Sequence, residues 1–145
     1  MAFSYKYPRP AITVDTVALK ITAEHDLVLL ITRGQAPFEG CWALPGGFVD
    51  MNELLVDAAH RELREETGLQ GLDLTQFHAF DAIGRDPRQR TISIVFIAYM
   101  QHEQTIKAGD DAIAASWFPL NQLPMLAFDH ADVLEKVKNH IENHR

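Results

Sequence analysis

In the stretch GGFVDMNELLVDAAHRELREETGL, Glu62, Glu65 and Glu66 are separated by steps of three and four residues. On a helix that spacing puts their carboxylates on one face. Three like charges there repel one another, and no neighbouring helical residue neutralises all of them. Arg64 points elsewhere, and Arg61, eight residues after Glu53, is placed to pair with that glutamate. Such a cluster becomes favourable when hard divalent cations sit between the oxygens, and all-oxygen ligation selects Mg2+ or Mn2+. A Pro45-Gly46-Gly47 turn precedes the helix, and glycine lets backbone approach a ligand or offer it a carbonyl. The chemistry indicated is a metal platform beside a tight backbone loop. Taken alone, an acidic helix face is more often a solvated surface.

Cationic and aromatic side chains elsewhere would complement it. Arg85, Arg88 and Arg90 fall in one turn, GRDPRQR, ahead of an apolar strand. Guanidinium groups match phosphate oxygens bidentately, although such a loop can also be a solubilising hairpin. Arg33 ends another apolar strand beside a loop and could reach a phosphate. Phe38, Trp42 and Phe128 offer faces for a base to stack on, with Trp42 better suited to the core. Among the seven histidines only His140 and His144 are four apart, in a terminal helix expected to fray, which makes them a surface pair rather than a zinc site. Cys41 has no evident base partner and is expected as a small buried hydrophobe.

These residues need elements to position them. Residues 11–22 and 27–33 read as strands joined by an EHD turn, and GQAPFEG as an exposed loop. Trp42–Leu44 is a short strand. A helix runs from about Asn52 to Thr67, with Leu55, Ala59 and Leu63 on its apolar stripe. Asp50 and Glu53 resemble a capping box, and Gly68 is a left-handed stop. Strands follow near 73–82 and at 91–100, with an edge piece at Ser116–Phe118. The final helix, 130–144, has Ala131, Leu134, Val137 and Ile141 on its apolar face. The pattern predicts an α/β (α+β) fold, a mixed β-sheet flanked by helices.

Composition narrows the class further. The chain has 145 residues, 47% of them apolar, with 13 basic and 20 acidic side chains for a net charge of −7. That excludes low-complexity and collagen-like chains and suits one domain over 1–145. A single cysteine gives no internal disulfide and fits a reducing, cytoplasmic setting. No apolar run approaches a membrane span, the start MAFSYKYPRPA lacks a secretory h-region, and the acidic balance disfavours nucleic-acid backbone.

The spacing is Gly47, five residues, Glu53, seven residues, then Arg61-Glu62-Leu63-x-Glu65-Glu66-x-Gly68-Leu69. It resembles the Nudix box in every fixed position, and the strand order around it is similar to the Nudix fold, an α/β/α sandwich. The resemblance implies hydrolysis of a nucleoside diphosphate linked to another moiety. It makes Glu62, Glu65 and Glu66 metal ligands, with the carbonyl of Gly46 beside them, and Glu53 and Arg61 the brace of the loop–helix–loop. Asp111, six residues before Trp117, lies where a MutT-like catalytic base would fall. Asp110 is equally placed, a box glutamate could serve instead, and the pair could be no more than a loop turn after Gly109.

GRDPR before TIS, and Leu126-Ala127-Phe128-Asp129-His130, resemble a Nudix subgroup tied to NAD metabolism, which contains ADP-ribose pyrophosphatases and sugar-phosphate-sensing regulators. This implies ADP-ribose as substrate, giving AMP and ribose 5-phosphate, with Arg33, Arg85, Arg88, Arg90 and Phe128 binding it. The proline spacing of another ADP-ribose pyrophosphatase group is not matched, since Pro87 falls 18 residues after Leu69. The alternatives are a (d)NTP pyrophosphohydrolase and a non-catalytic sensing module. Those regulators carry a winged helix, for which a chain ending at Arg145 is expected to leave no room. Many relatives dimerise, so a homodimer is left open.

Overall fold

The computed structural model describes residues 2–144. Its central strand, β1 (Ala11–Ile21), is rich in β-branched residues and pairs along both edges. On one edge it runs parallel to β6 (Thr91–Tyr99), in register from Ala11 with Thr91 to Leu19 with Tyr99. Its other edge is shared by two antiparallel partners. Leu19–Ile21 pair with β2 (Asp26–Arg33), while Thr13–Asp15 pair with β4 (Gly46–Phe48). β1 and β2 therefore part company after a short hairpin stem. β3 (Trp42–Ala43) joins β2 at Ile31 and Thr32, and β7 (Ala112–Pro119) lines the opposite edge of β2. β5 (Thr75–Phe80) closes the far edge against β6. The fork between β1 and β2, occupied by β3 and β4, is where a cavity opens.

Two helices cover the sheet, and the strand sequences show why. Val17, Leu19, Val28, Leu30, Val95 and Ile97 pack with Val133, Leu134, Val137 and Ile141 of α2 (His130–Asn143). Their alternate neighbours, Ala18, Leu29, Phe96 and Ala98, form clusters with Leu63, Ala58 and Ala59 of α1 (Leu55–Thr67) or its flanks. With both faces buried, the strands read as near-continuous apolar runs instead of alternating ones. α1 ends where expected: Gly68 is left-handed, with φ of 80°, and its N–H donates to Arg64 O.

Several expected boundaries moved. Gly46-Gly47 is not a turn but strand β4. Helix α1 begins at Leu55, three residues late: the Asp50 N–H does donate to Glu53 Oε1 at 3.0 Å, yet this closes a turn ahead of the helix, whose N-cap Leu54 makes no side-chain bond. The piece at Ser116–Phe118 grows to Ala112–Pro119, because β2 offers a full edge to pair with. In α2, Ala131 is exposed and Val133 takes its place on the buried face. Cys41 is half-buried and unpaired. No helix among the described residues is long and apolar enough to cross a membrane.

Candidate active site

The fork holds a cavity of about 370 Å3. Its walls come from β1 (Thr13, Asp15), the end of β2 (Arg33) with Gly34 and Gln35, β4 (Gly46, Gly47), α1 (Glu62, Glu66) and three loops carrying Arg85, Arg88, Asp111 and Phe128. Anionic and cationic groups both line it, Arg61 with Glu62 and Asp86 with Arg88 among them.

The predicted glutamates split. Glu66 is 7% exposed and accepts a hydrogen bond from Gly46 N–H at 2.7 Å. Burial, then the neighbouring Glu62, pushes its pKa up to about 9. Glu62 packs on Gly47 so tightly that a Cβ there would lie 2.6 Å from its carboxyl carbon. Its pKa is also raised, by burial first, against the opposing pull of Arg61. Glu65 is not part of the cavity lining. It accepts from Arg61 Nη1 at 3.3 Å, on the flank of the helix. Arg61 also donates to Glu53 at 2.6 and 2.9 Å, to Glu62 at 2.8 Å and to the Phe48 carbonyl at 3.2 Å. Its guanidinium and the Asp50 N–H hold Glu53 down to about 2. The pairing expected of Glu53 and Arg61 thus ties the β4–α1 loop to the helix.

Each of the expected arginines is held by groups of the protein itself. Arg33 Nε donates to Pro37 O at 2.7 Å, and burial, then nearby Arg88, lowers its pKa. Arg88 grips Asp86 through Nε at 3.1 Å and Nη2 at 2.8 Å. Burial pushes Asp86 up, but Arg88 outweighs it and holds this carboxylate below its usual value. Arg85 is bidentate on Asp129, at 3.0 and 2.7 Å, and sits deep in the wall. Arg90 is the exception among the expected ligands: it lies outside the lining, with Nη1 on the carbonyl of Asp81 at 2.8 Å, bracing its own loop. Phe128 contacts Phe38 at 4.8 Å between centroids, with Arg33 at 5.0 Å and Arg88 at 5.7 Å from its ring. Phe38, Phe128 and Asp110 all have positive φ, and of these Phe128 lines the cavity.

Asp111 lines the cavity beside Glu62 and Glu66, whereas Asp110 does not. Gln35 Nε2 donates to its Oδ1 at 3.1 Å, and Gly34 N–H donates to its carbonyl at 2.8 Å. Sequence reasoning missed Asp15, Ser93 and His130, a buried polar chain under the cavity. The available signal was Asp15 itself, the one acidic residue in strand β1.

The donor set fits a hard dication. Two desolvated carboxylates crowd one another, and Arg33 offsets only part of the charge on Glu66, so their shared charge calls for a dication. Among the described residues no three His, Cys, Asp or Glu groups converge on one point.

The family model for the NUDIX domain matches residues 12–137. The chain is 44% identical over 129 residues to an ADP-ribose pyrophosphatase of Methanocaldococcus jannaschii, covering 89% of this chain and 73% of that one. It is 33% identical over 144 residues to the ADPR responsive transcriptional repressor NtrR of Acinetobacter baylyi, covering 94% of this chain but only 56% of the repressor. Among solved structures, the NUDIX domain of Shewanella oneidensis NrtR, complexed with ADP ribose, superposes with a TM-score of 0.85 at 30% identity, over 93% of this chain and 90% of that one.

Proposed function

The chain belongs to the Nudix family, and from that premise we propose that it is a divalent-metal-dependent pyrophosphohydrolase cleaving ADP-ribose to AMP and ribose 5-phosphate. The observation that carries this reading is a single cavity whose lining brings crowded, desolvated Glu62 and Glu66 together with Arg33 and Arg88. A pyrophosphate with its metal ion answers both charges. The similarity to an ADP-ribose pyrophosphatase over most of the chain supports the substrate.

Glu62, Glu66 and the Gly46 carbonyl would hold Mg2+, with Mn2+ able to replace it, and Glu65 would join them by giving up its contact with Arg61. Such an ion, when bound, neutralises phosphate oxygens and orients water. The protein's own groups do the rest. Arg33 and Arg88 bind phosphate oxygens; Arg85, spent on Asp129, shapes the wall. Phe128 presents a ring for the base or sugar. Water attacks phosphorus, the bridging P–O bond breaks, and the departing phosphate keeps the electron pair. Asp111 Oδ2 takes the water's proton while Gln35 holds Oδ1; Glu65 or Glu66 is the alternative base. We take residues 1–145 as one Nudix domain acting in the cytoplasm on a small molecule, without nucleic acid or membrane. A homodimer is left open.

A second reading, ADP-ribose sensing without cleavage, is favoured by the likeness to the repressor. Incubation with Mg2+ and a panel of ADP-ribose, NADH, dinucleoside polyphosphates and (d)NTPs, followed by chromatography of the products, separates the readings. AMP appearing fastest from ADP-ribose is the expected result. Faster turnover of a (d)NTP overturns the substrate, and tight ADP-ribose binding without turnover of any compound overturns the enzyme.

A further inference from the structure

Asp15 lines the cavity at 7% exposure, and the reaction outlined above gives it no role. Its two oxygens are treated differently. Oδ2 accepts the Ser93 hydroxyl and faces His130 Nε2 at 3.7 Å. The His130 ring is itself fixed, since Leu44 N–H donates to Nδ1 at 3.1 Å, leaving the neutral ring's proton on Nε2, toward Asp15. Oδ1, by contrast, lies against Gly46 at the cavity wall, and among the described residues nothing donates a hydrogen bond to it. An acceptor on the cavity wall that no group of the chain serves can take a donor from a bound ligand.

The charge of Oδ1 narrows the ligand group. It repels phosphate, which Arg33 and Arg88 already serve. A single fixed anionic acceptor suits a neutral O–H donor, and in a nucleoside diphosphate sugar those are the ribose hydroxyls. We propose that Asp15 is a specificity-determining residue whose Oδ1 accepts a hydrogen bond from a ribose hydroxyl of the substrate, with Ser93 and His130 as positioning residues. The inference rests on the nucleoside diphosphate sugar reading above and names the part of that substrate the cavity floor recognises.

Asp15→Asn inverts this one position at nearly constant shape. Ser93 and His130 both donate toward Oδ2, so the amide oxygen takes that place and the NH2 turns to the cavity, replacing an acceptor by a donor. The experiment compares wild type, Asp15→Asn and Ser93→Ala. Calorimetric binding of ADP-ribose and of its 2′-deoxy and 2″-deoxy analogues is measured without divalent cation, and kcat and KM with Mg2+.

Wild type should prefer ADP-ribose to one of the two analogues by about tenfold or more, identifying the hydroxyl. Asp15→Asn should bring that ratio to within about twofold, mainly through KM, and Ser93→Ala should lower it by about threefold. Absence of any wild-type preference overturns the proposal, as does a preference unchanged in Asp15→Asn. So does a loss of Mn2+ affinity in that variant with the preference intact, which would make Oδ1 a metal ligand. Should Asp15→Asn fail to fold, the Ser93→Ala ratio decides, an unchanged value overturning the proposal. Because binding is read without turnover, a wild type that binds but does not hydrolyse ADP-ribose sinks the enzymatic reading alone.

Discussion

A carboxylate 7% exposed, held by one backbone N–H at 2.7 Å and crowded by Glu62, costs the folded chain free energy that this N–H and Arg33 return only in part. Glu66→Gln removes the charge and keeps the shape. Without divalent cation the variant should therefore melt at or above the wild-type temperature. With Mg2+ at about a hundred times its Kd, wild type should gain roughly 2.7 kcal/mol, on the order of 5–10 °C, and the variant should lose most of that gain. Turnover should drop at least about a hundredfold, since a metal ligand is gone. Thermal scans with and without MgCl2, alongside initial rates, check this; near-normal turnover would remove Glu66 from the metal platform. At this scale the sequence was informative about chemistry and coarse about geometry. Glu62 and Glu66 are four apart and project together, while Glu65 lies about 100° around the helix from Glu66, where Arg61 holds it. Asp15 was overlooked because the partners that make it functional, Ser93 and His130, are remote in sequence.

Strand β4 shows what local pattern can and cannot convey. Pro-Gly-Gly signals a turn because glycine most often serves unusual φ, yet Gly46 and Gly47 are absent from the positive-φ glycines and are needed for clearance. A Cβ on Gly46 would lie 2.2 Å from the Val14 carbonyl oxygen, and one on Gly47 2.6 Å from the Glu62 carboxyl. Nothing in a single sequence separates these two uses of glycine. The consequences differ. Gly46→Ala presses on backbone that cannot yield, so β4 must separate from β1, at about 3 kcal/mol. Gly47→Ala presses on the far end of a side chain that can swing away. It should melt within a few degrees of wild type while turnover falls by about tenfold or more, because Glu62 leaves its place. Paired melting and rate measurements check this; a Gly47→Ala enzyme with full activity would show that Glu62 need not sit where it does.

At the scale of the molecule, the covered sheet was legible and the fork was not. Apolar runs such as LVLLIT and TISIVFIAY announce strands buried on both faces, and the helical stripes supply the covers. That β1 divides one edge between β2 and β4 is a non-local choice that no strand's own residues encode. The same division sets the pH behaviour, because burial outweighs the nearby cations at one group of carboxylates and is outweighed by them at another. Glu62 and Glu66 have raised pKa values, so in metal-free protein their contribution to stability is complete below the usual 4.5 and is lost as pH climbs toward about 9. Glu53, held down to about 2, with Asp15 and Asp86 also lowered, behaves oppositely: their contribution is present above the usual carboxylate range and is lost as pH falls from about 4.5 toward 2. Melting temperature without divalent cation should therefore peak near pH 5 and decline on both sides. Millimolar Mg2+ should lift the alkaline limb, since the ion takes over the proton's work at Glu62 and Glu66, and leave the acid limb where it was. Scanning calorimetry between pH 3 and 9, with EDTA or with Mg2+, reads both limbs. A metal-free profile flat from pH 5 to 9 would mean the glutamates are solvated, and an acid limb moved by Mg2+ would mean the ion is held by the braced carboxylates instead.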